Sequence, residues 1–336
     1  MSSQLRVLIL APFADAGIDA INGFGEAVHE DWRDTGVMWD PEELGARLAR
    51  EKFDVVVIER DFLFEETFAV AENLKVAAIC RAALNQIDVD AATAHGVVVL
   101  NTPGRNANAV AELTIGLMLA VARRISESER YVRGGLWQSP SDPYTALRGA
   151  ELSGRTLGVV GFGAVGRRVA EICRVIGMDV IVHDPYVDSD AVEAFGASAR
   201  SLDDLIRTAD VITLHAPAAE DGEPLLGAGQ IAAMKAGSIV INTASAELVD
   251  TDALAKALGD GRLAGAGYDI FETAPIEPSH PFLKLDNVVI TPHIGGATDE
   301  TIERHSRMIS EDLARFARGE MPVNMVNPDA WAGRRG

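Results

Sequence analysis

Cysteine is almost absent from this chain of 336 residues, in which only Cys80 and Cys173 occur. Both lie in apolar surroundings, and they form neither a disulfide framework nor a CxxC pair. This excludes disulfide-rich secreted scaffolds and makes a reducing cytoplasm the expected location. The seven histidines show no spacing typical of metal ligands, so the sequence predicts no metal site.

Basic residues and long hydrophobic runs are also scarce. The 30 lysines and arginines against 50 acidic residues leave a net charge of −20, which argues against nucleic acid or an anionic membrane as a partner. The most apolar stretch, residues 107–122, is short for a membrane span and contains Glu112. The N-terminal residues hold no hydrophobic segment of signal length. The expected partner is therefore a small-molecule substrate, and neither a nucleic acid nor a membrane.

The length and the hydrophobic content of 48% suffice for two domains with separate cores. In the first part of the chain, strand-like runs alternate with helical stretches, which predicts a parallel α/β sheet. Asp40 is expected to begin a helix. No glycine-rich fingerprint occurs here, so this part is not a nucleotide site. The strands are expected at 5–10, 54–59, 74–80 and 97–100, and the helix at 41–52.

The most informative stretch of the chain is residues 155–185. A buried strand is predicted at 156–160. It runs directly into the glycine-rich sequence GFGAVG, and an amphipathic helix follows that ends near Gly177. A second strand, 180–183, has Asp184 at its tip. This order of parts is typical of the βαβ unit that binds a dinucleotide.

Each part of this unit has a physical role. Gly161 allows a tight turn, Gly163 lets a pyrophosphate approach the backbone, and Gly166 lets helix and strand pack closely. The phosphates then lie at the helix N-terminus, among unpaired N–H groups. Asp184 can accept hydrogen bonds from both hydroxyls of the adenosine ribose and would repel a 2′-phosphate. The sequence therefore predicts NAD, rather than NADP, as the cofactor.

The remaining chain completes a dinucleotide-binding fold. The helix at 106–123 is apolar on nearly every face, so burial at a subunit interface is expected. Residues 126–154 are interpreted as an extended connection, and 331–336 as a frayed tail. The helix at 298–317 is expected to return to the first domain. Six strands are predicted, at 156–161, 180–183, 211–215, 238–242, 264–269 and 288–291.

A turn in the first domain is a candidate wall of the substrate site. It follows the predicted strand at 74–80 directly, and ligands of open α/β sheets gather at the carboxyl ends of strands. Its residues are Arg81, Ala82, Ala83 and Asn85.

Several long motifs, in a fixed order, resemble the D-isomer-specific 2-hydroxyacid dehydrogenase family over nearly the whole chain. They are NTPGRNANAVAEL, LGVVGFGAVGRRVA, TLHAP, INTASAELVDTDAL, AGAGYDIFETAP and NVVITPHIGG. The resemblance implies two Rossmann-like α/β domains with doubly wound parallel sheets. A discontinuous, flavodoxin-like substrate domain (1–104 plus 298–336) would flank a central NAD-binding domain (105–297), with a cleft between them. It also implies a homodimer.

The resemblance further implies hydride transfer between the nicotinamide and a 2-keto or 2-hydroxy acid. Family members use an arginine for the substrate carboxylate, a histidine as proton carrier and a glutamate that stabilises the protonated histidine. His293, in TPHIGG, matches the histidine. The residues at the other two positions differ from those of the family, although the flanking motifs align without an insertion or deletion. Ser245 stands at the arginine position and Ala274 at the glutamate position. Arg81, Glu272 or Glu277 could compensate.

The cofactor-binding parts are retained. The candidate cofactor residues are Val110, Gly161, Phe162, Gly163, Ala164, Val165, Gly166, Asp184, Pro185, His215, Ala216, Pro217, Thr243, Ala244, Asp269, His293, Gly295 and Gly296. The candidate substrate residues are those of the Arg81 turn together with Ser245. The first hypothesis is an NAD-dependent oxidoreductase with displaced catalytic groups. The alternatives are an NAD(H)-binding sensor or scaffold without turnover, and a redox enzyme for a substrate without a carboxylate.

Overall fold

The chain divides into two compact units in a computed structural model that describes residues 4–218 and 222–335. The flanking unit comprises Met1–Arg105 and Thr298–Gly336, and the central unit comprises Asn106–Ala297. The predicted boundaries fall within one residue of this division. The substrate and cofactor roles assigned to the two units remain predictions.

Twelve strands and fifteen α-helices occur in the described part of the chain, together with two short 3-10 helices, Ala246–Leu248 and Pro281–Lys284. The strands are β1 (Leu5–Ile9), β2 (Gly25–His29), β3 (Val55–Ile58), β4 (Val76–Ile79), β5 (Val98–Leu100), β6 (Thr156–Val160), β7 (Asp179–His183), β8 (Ser198–Ala199), β9 (Val211–Leu214), β10 (Ile239–Asn242), β11 (Gly265–Tyr268) and β12 (Val288–Ile290). The helices are α1 (Asp15–Asn22), α2 (Trp32–Thr35), α3 (Pro41–Glu51), α4 (Glu65–Val70), α5 (Val89–Ala94), α6 (Ala107–Ala122), α7 (Ile125–Arg133), α8 (Asp142–Ala146), α9 (Ala164–Val175), α10 (Ser189–Phe195), α11 (Leu202–Thr208), α12 (Ala228–Ala233), α13 (Thr251–Gly259), α14 (Asp299–Ala317) and α15 (Ala330–Gly333).

The flanking unit is built on a five-stranded parallel sheet in the order β2-β1-β3-β4-β5. Every residue of β3 and β4 is buried, as expected of parallel strands that helices cover on both faces. The strand order reverses between β1 and β3, and such a switch point is where open α/β sheets leave a crevice for ligands. A ligand site of this unit is therefore expected near the carboxyl ends of β1 and β3.

The central unit is built on a seven-stranded parallel sheet in the order β12-β11-β10-β9-β6-β7-β8. This is the doubly wound order of dinucleotide-binding domains, with its switch point between β6 and β9. The six predicted strands are all present. The seventh, β8, escaped prediction because Ser198 and Ala199 are too few to form a pattern. The α/β fold class with two parallel sheets is confirmed.

Two local predictions were wrong. Residues 126–154 are not simply extended, since they contain most of α7 and all of α8. In α7 the sequence ISESERYVR forms a strongly amphipathic helix with basic residues in its last turn, which favours its C-terminal end. The described part of the tail, residues 331–335, is not frayed either. Arg335 donates its backbone N–H to Gly96 O at 3.0 Å, and Trp331 packs edge-on against Phe316.

Capping explains where two of the helices begin. Asp40, the residue before α3, accepts hydrogen bonds from the N–H groups of Glu42 and Glu43, and Pro41 occupies the first turn. Thr298 caps α14 in the same way through Thr301 N. Within residues 4–218 and 222–335, no helix is long and apolar enough to cross a membrane. The same residues contain no cluster of three or more potential metal ligands from His, Cys, Asp and Glu.

Candidate active site

The predicted cofactor residues of the central unit lie along one edge of its sheet. All strands are parallel, so their carboxyl ends share this edge, and the turns after β6, β7, β9, β10, β11 and β12 carry the candidate residues. Val110 is the exception, since it lies on α6. Its side chain is buried against the turn after β12, where a Cβ on Gly295 would lie 3.4 Å from Val110 Cγ2.

The glycine-rich turn between β6 and α9 has room only for glycine at two positions. Gly161 has φ +89°, and a Cβ there would lie 2.6 Å from Ala216 N. A Cβ on Gly166 would collide with Gly161 O. Gly163 differs, because no described residue outside its immediate chain neighbours has an atom within 4 Å of where its Cβ would be. The space above Gly163, at the N-terminal end of α9, is therefore open to a bound phosphate.

Asp184 is fixed in place at the carboxyl end of β7. Its Oδ2 accepts a hydrogen bond from Phe162 N at 2.7 Å, and its Oδ1 accepts one from Tyr186 N at 2.8 Å. The carboxylate thus links the tip of β7 to the glycine-rich turn. Carboxylate oxygens can accept more than one hydrogen bond each, so capacity remains for ribose hydroxyls. The neighbouring Pro185 is exposed.

The turn after β9 contributes a neutral histidine. His215 donates its backbone N–H to Val160 O at 2.7 Å, and its Nε2 lies 2.9 Å from Thr213 Oγ1. Burial lowers the pKa of His215 to about 3, because the surroundings disfavour the imidazolium. His215 is therefore uncharged near neutral pH. Ala216 and Pro217 follow it at the same edge, with Pro217 exposed.

The turn after β10 is held by an amide side chain. Asn242 Nδ2 donates to Ser245 O at 2.7 Å, and Asn242 Oδ1 accepts from Ala244 N at 3.1 Å. Thr243 Oγ1 lies 3.0 Å from Thr114 Oγ1 of α6. Ser245 is partly exposed, and no described residue hydrogen-bonds to its hydroxyl group. Ser245 can thus offer a hydroxyl to a ligand, but it supplies no positive charge.

The turn after β12 is organised by Asp269, which is 2% exposed. Its carboxylate accepts hydrogen bonds from Thr291 Oγ1 at 2.6 Å, Ile294 N at 2.9 Å and Gly295 N at 2.7 Å. His293 lies inside this clamp, with a left-handed backbone at φ +55°. Such a conformation is costly for a residue with a side chain and persists where the surroundings enforce it. The imidazole is exposed at the edge.

Neither proposed carboxylate is hydrogen-bonded to His293. Glu272 Oε1 accepts from Thr251 Oγ1 at 2.7 Å, and its Oε2 lies 3.4 Å from His280 Nε2. Burial disfavours its charged form, but these two partners outweigh burial and lower the pKa of Glu272. Glu277 is exposed, and so is Ala274, which has only a methyl group. Among the described residues, no carboxylate forms an ion pair with His293.

The Arg81 turn lies at the carboxyl end of β4, in the flanking unit. Ala82, Ala83 and Asn85 are exposed, whereas Arg81 is partly buried. Burial is the main cause that lowers the pKa of Arg81, although a guanidinium remains charged at any ordinary pH. No carboxylate among the described residues forms an ion pair with Arg81, so its charge is available to a ligand.

Sequence reasoning missed a hydrogen-bonded network beside this turn. Glu59, after β3, forms an ion pair with Arg105 at 2.8 Å and accepts from Trp32 Nε1 at 3.1 Å. Arg105 Nη1 in turn lies 2.7 Å from Nδ1 of His305, which is fully buried in α14. These four residues are far apart in sequence. The only sequence signal for this network is the position of Glu59 directly after a predicted strand.

Comparison with known proteins identifies the family. The model of the D-isomer specific 2-hydroxyacid dehydrogenase NAD binding domain matches residues 115–295. A glyoxylate reductase of Aeropyrum pernix is 38% identical over 298 residues, which are 86% of this chain and 89% of that protein. The chain belongs to the D-isomer-specific 2-hydroxyacid dehydrogenase family.

Two further relatives agree with this assignment. A D-3-phosphoglycerate dehydrogenase of Archaeoglobus fulgidus is 37% identical over 326 residues, 96% of this chain but 59% of that longer protein. The crystal structure of the TT0316 protein from Thermus thermophilus superimposes with a TM-score of 0.84 at 35% identity, covering 96% of this chain and 100% of the other. The predicted class, an oxidoreductase that uses a nicotinamide dinucleotide and acts on CH–OH groups, is confirmed.

Proposed function

We propose that this family member transfers a hydride between NAD(H) and a 2-keto or 2-hydroxy acid, with His293 as the proton carrier. The observation that supports this most directly is the Asp269 clamp. Three hydrogen bonds to one carboxylate hold the turn of His293, in a strained conformation, at the edge of the sheet that carries the glycine-rich turn. Strain of this kind clusters at functional sites.

A bound nicotinamide would supply or accept the hydride, and the residues of this chain would do the rest. The backbone around Gly163 would receive the pyrophosphate, and Asp184 the adenosine ribose. In the direction of reduction, the His293 imidazolium would give its proton to the oxygen of the carbonyl group. In the direction of oxidation, the neutral imidazole would take the proton from the hydroxyl group.

The substrate's acid group needs a positive charge that Ser245 does not provide. Arg81 is the arginine that we propose for this task, because it follows a strand end, is partly buried and has no ion-pair partner among the described residues. A guanidinium offers a planar pair of donors that matches a carboxylate. The hydroxyl of Ser245 would add a neutral hydrogen bond.

Replacement of His293 tests the proposal. His293→Gln should lower kcat/KM for NADH-dependent reduction of 2-keto acids by about 10²–10⁴, because general acid catalysis is lost. The affinity for NADH, measured by calorimetry, should stay close to that of the parent. His95→Gln is a suitable control, since His95 pairs with Glu65 in the flanking unit. Unchanged turnover in His293→Gln would reject His293 as the proton carrier.

A second candidate function is an NAD(H)-binding relative without turnover. It is favoured by the absence of a carboxylate partner for His293 among the described residues, since Glu272 is committed to Thr251 and His280. This alternative predicts saturable NADH binding without oxidation of NADH by any 2-keto acid. It also predicts a gain of activity in the double variant Ser245→Arg, Ala274→Glu. Turnover of ketones but not of keto acids would instead indicate a substrate without a carboxylate.

We further propose that NAD is preferred over NADP, because the fixed carboxylate of Asp184 would lie where a 2′-phosphate would be placed. Asp184→Ser should weaken NADH binding by roughly 10-fold to 100-fold, since charge-assisted hydrogen bonds are worth about 1.5–3 kcal/mol, and should improve NADPH binding. Fluorescence titration with both cofactors measures the ratio. An unchanged ratio would show that Asp184 does not select the cofactor.

A further inference from the structure

The beginning of α9 carries positive charge where a helix disfavours it. The N-terminus of a helix is the positive end of its dipole, so acidic side chains are favourable there and basic ones are unfavourable. The first turn of α9 nevertheless contains no acidic residue, and Gly163 before it provides no side-chain cap. Two arginines, Arg167 and Arg168, follow directly after Gly166. An anion bound at this end of the helix would remove the conflict.

The two arginines differ in how their charge is balanced. Arg168 Nη1 lies 2.6 Å from Glu171 Oε2 on the same helix, so Arg168 has its own carboxylate. Arg167 forms no ion pair with any carboxylate of residues 4–218 and 222–335. It is also partly buried, so solvent screens its charge less than that of a fully exposed arginine. The charge of Arg167 is therefore available to an anionic ligand.

The guanidinium group of Arg167 is fixed beside the glycine-rich turn. Its Nε donates to Phe162 O at 2.9 Å, and its Cζ lies 4.4 Å from the centre of the Phe162 ring. That ring is fully buried and packs edge-on against Phe195. Phe162 N donates to Asp184 Oδ2 at 2.7 Å, so the arginine and the aspartate hold the two backbone polar groups of one residue. The guanidinium is thus positioned before any ligand binds.

The outer nitrogens of Arg167 remain free for a ligand. Phe162 precedes the helix, so its contact with Nε shows that the Arg167 side chain extends back towards the N-terminal end of α9. Nη1 and Nη2 carry the other N–H groups, and no residue of the described chain accepts a hydrogen bond from them. The open space above Gly163 lies at the same end of the helix.

We propose that Arg167 binds the pyrophosphate of the nicotinamide dinucleotide, together with the backbone N–H groups at the start of α9. A guanidinium group donates paired hydrogen bonds whose geometry matches phosphate oxygens. The negative charge of the pyrophosphate would balance both the arginine and the positive end of the helix dipole. This role rests on the phosphate position proposed above at Gly163, but it does not require hydride transfer.

Ligands that share the adenosine part but differ in phosphate test this role. Arg167→Gln should weaken the binding of NADH and of ADP-ribose by roughly 10-fold to 100-fold, because a charge-assisted hydrogen bond is lost. Adenosine, which has no phosphate, should bind the variant as it binds the parent. Calorimetry measures the first two affinities, and displacement of fluorescent NADH measures the third. Unchanged adenosine binding also shows that the variant is folded.

Arg168→Gln is the matched control, because it removes the same charge from the next residue, whose partner is Glu171. This variant should keep the ADP-ribose affinity of the parent within about threefold, since a surface ion pair contributes little. A second variant, Arg167→Lys, keeps the charge and should lose less ADP-ribose affinity than Arg167→Gln. Equal losses in Arg167→Gln and Arg168→Gln would indicate only the general field of the protein and would overturn the proposal.

The remaining outcomes separate this role from other roles of Arg167. An equal loss for adenosine and ADP-ribose in Arg167→Gln would show that Arg167 only holds the glycine-rich turn. A loss confined to NADPH, with NADH unaffected, would assign Arg167 to a 2′-phosphate. Either result would overturn the proposal.

The same measurements distinguish this proposal from the proposed function. The predicted loss of ADP-ribose affinity, in a protein whose parent reduces no 2-keto acid, would support the role of Arg167 and overturn hydride transfer. Normal ADP-ribose binding in Arg167→Gln, with turnover of a 2-keto acid by the parent, would overturn the role of Arg167 and leave the function standing. A parent that binds neither NADH nor ADP-ribose would overturn both.

Discussion

At the scale of single residues, one buried carboxylate determines where the proposed proton carrier lies. Asp269 accepts hydrogen bonds from two backbone N–H groups and one hydroxyl group. These three donors belong to the turn that carries His293. A buried donor left without an acceptor costs about 1–3 kcal/mol. The same side chain thus links the stability of the central unit to the orientation of its histidine.

Asp269→Ala should therefore lower the free energy of unfolding by about 2–5 kcal/mol, because one buried donor and two partly buried donors lose their acceptor together. Urea denaturation followed by circular dichroism measures the loss. Asp286→Ala is the control, since the Asp286 side chain is 91% exposed and lies 3.4 Å from Arg130. A loss in Asp269→Ala no larger than in the control would contradict the clamp.

At the scale of elements, the β6–α9 turn separates the folding role of glycine from its binding role. Gly166 is required by packing, because a Cβ there would collide with Gly161 O. Gly163 is not required by packing, since nothing in the described chain beyond its immediate neighbours lies within 4 Å of its Cβ position and its φ of −75° suits any residue. The absence of a side chain at Gly163 therefore serves ligand binding at the N-terminal end of α9, and not the packing of the protein.

This contrast predicts opposite outcomes for two alanine variants. Gly166→Ala should destabilise the protein by about 1–3 kcal/mol through overpacking. Gly163→Ala should leave unfolding within about 0.5 kcal/mol of the parent. It should nevertheless weaken NADH binding by about tenfold or more, because a methyl group would keep the pyrophosphate from the backbone. Thermal unfolding and calorimetry measure the two effects, and normal NADH affinity in Gly163→Ala would argue against the proposed phosphate position.

At the scale of the whole molecule, exposed apolar side chains concentrate in one segment of the central unit. Ile125 and Val132 of α7 are 52% and 53% exposed, and Leu136 and Trp137 just beyond it are 58% and 59% exposed. Such clustering is typical of interaction surfaces. It supports the homodimer that the family resemblance implies, which remains a proposal.

Sedimentation should accordingly give twice the chain mass of 35.8 kDa for the parent protein. Val132→Asp combined with Trp137→Asp should give the single-chain mass, because each apolar side chain withdrawn from the interface costs about 1.5–3 kcal/mol. Val175→Asp is the control for placing a charge at an exposed valine outside this segment, since Val175 on α9 is 85% exposed. This variant should keep the mass of the parent. A monomeric parent, or an unchanged mass in the double variant, would refute this interface.

The sequence by itself determined the elements whose information is local. The alternation of apolar runs predicted every strand of both sheets except β2 and β8, Asp40 predicted the start of α3, and the spacing of Gly161, Gly163 and Gly166 predicted the dinucleotide turn. These features depend on neighbours within a few residues, so periodicity and capping rules capture them. The two-residue strand β8 was too short to carry such a signal.

Only the tertiary structure decided which side chains are paired. Glu272 is three residues from Asp269, yet its partners are Thr251 and His280. Glu59 meets Trp32, and Arg105 meets His305 two hundred residues away along the chain. Hydrogen bonds between distant segments depend on how the strands order in the sheet, and local sequence patterns do not encode that order.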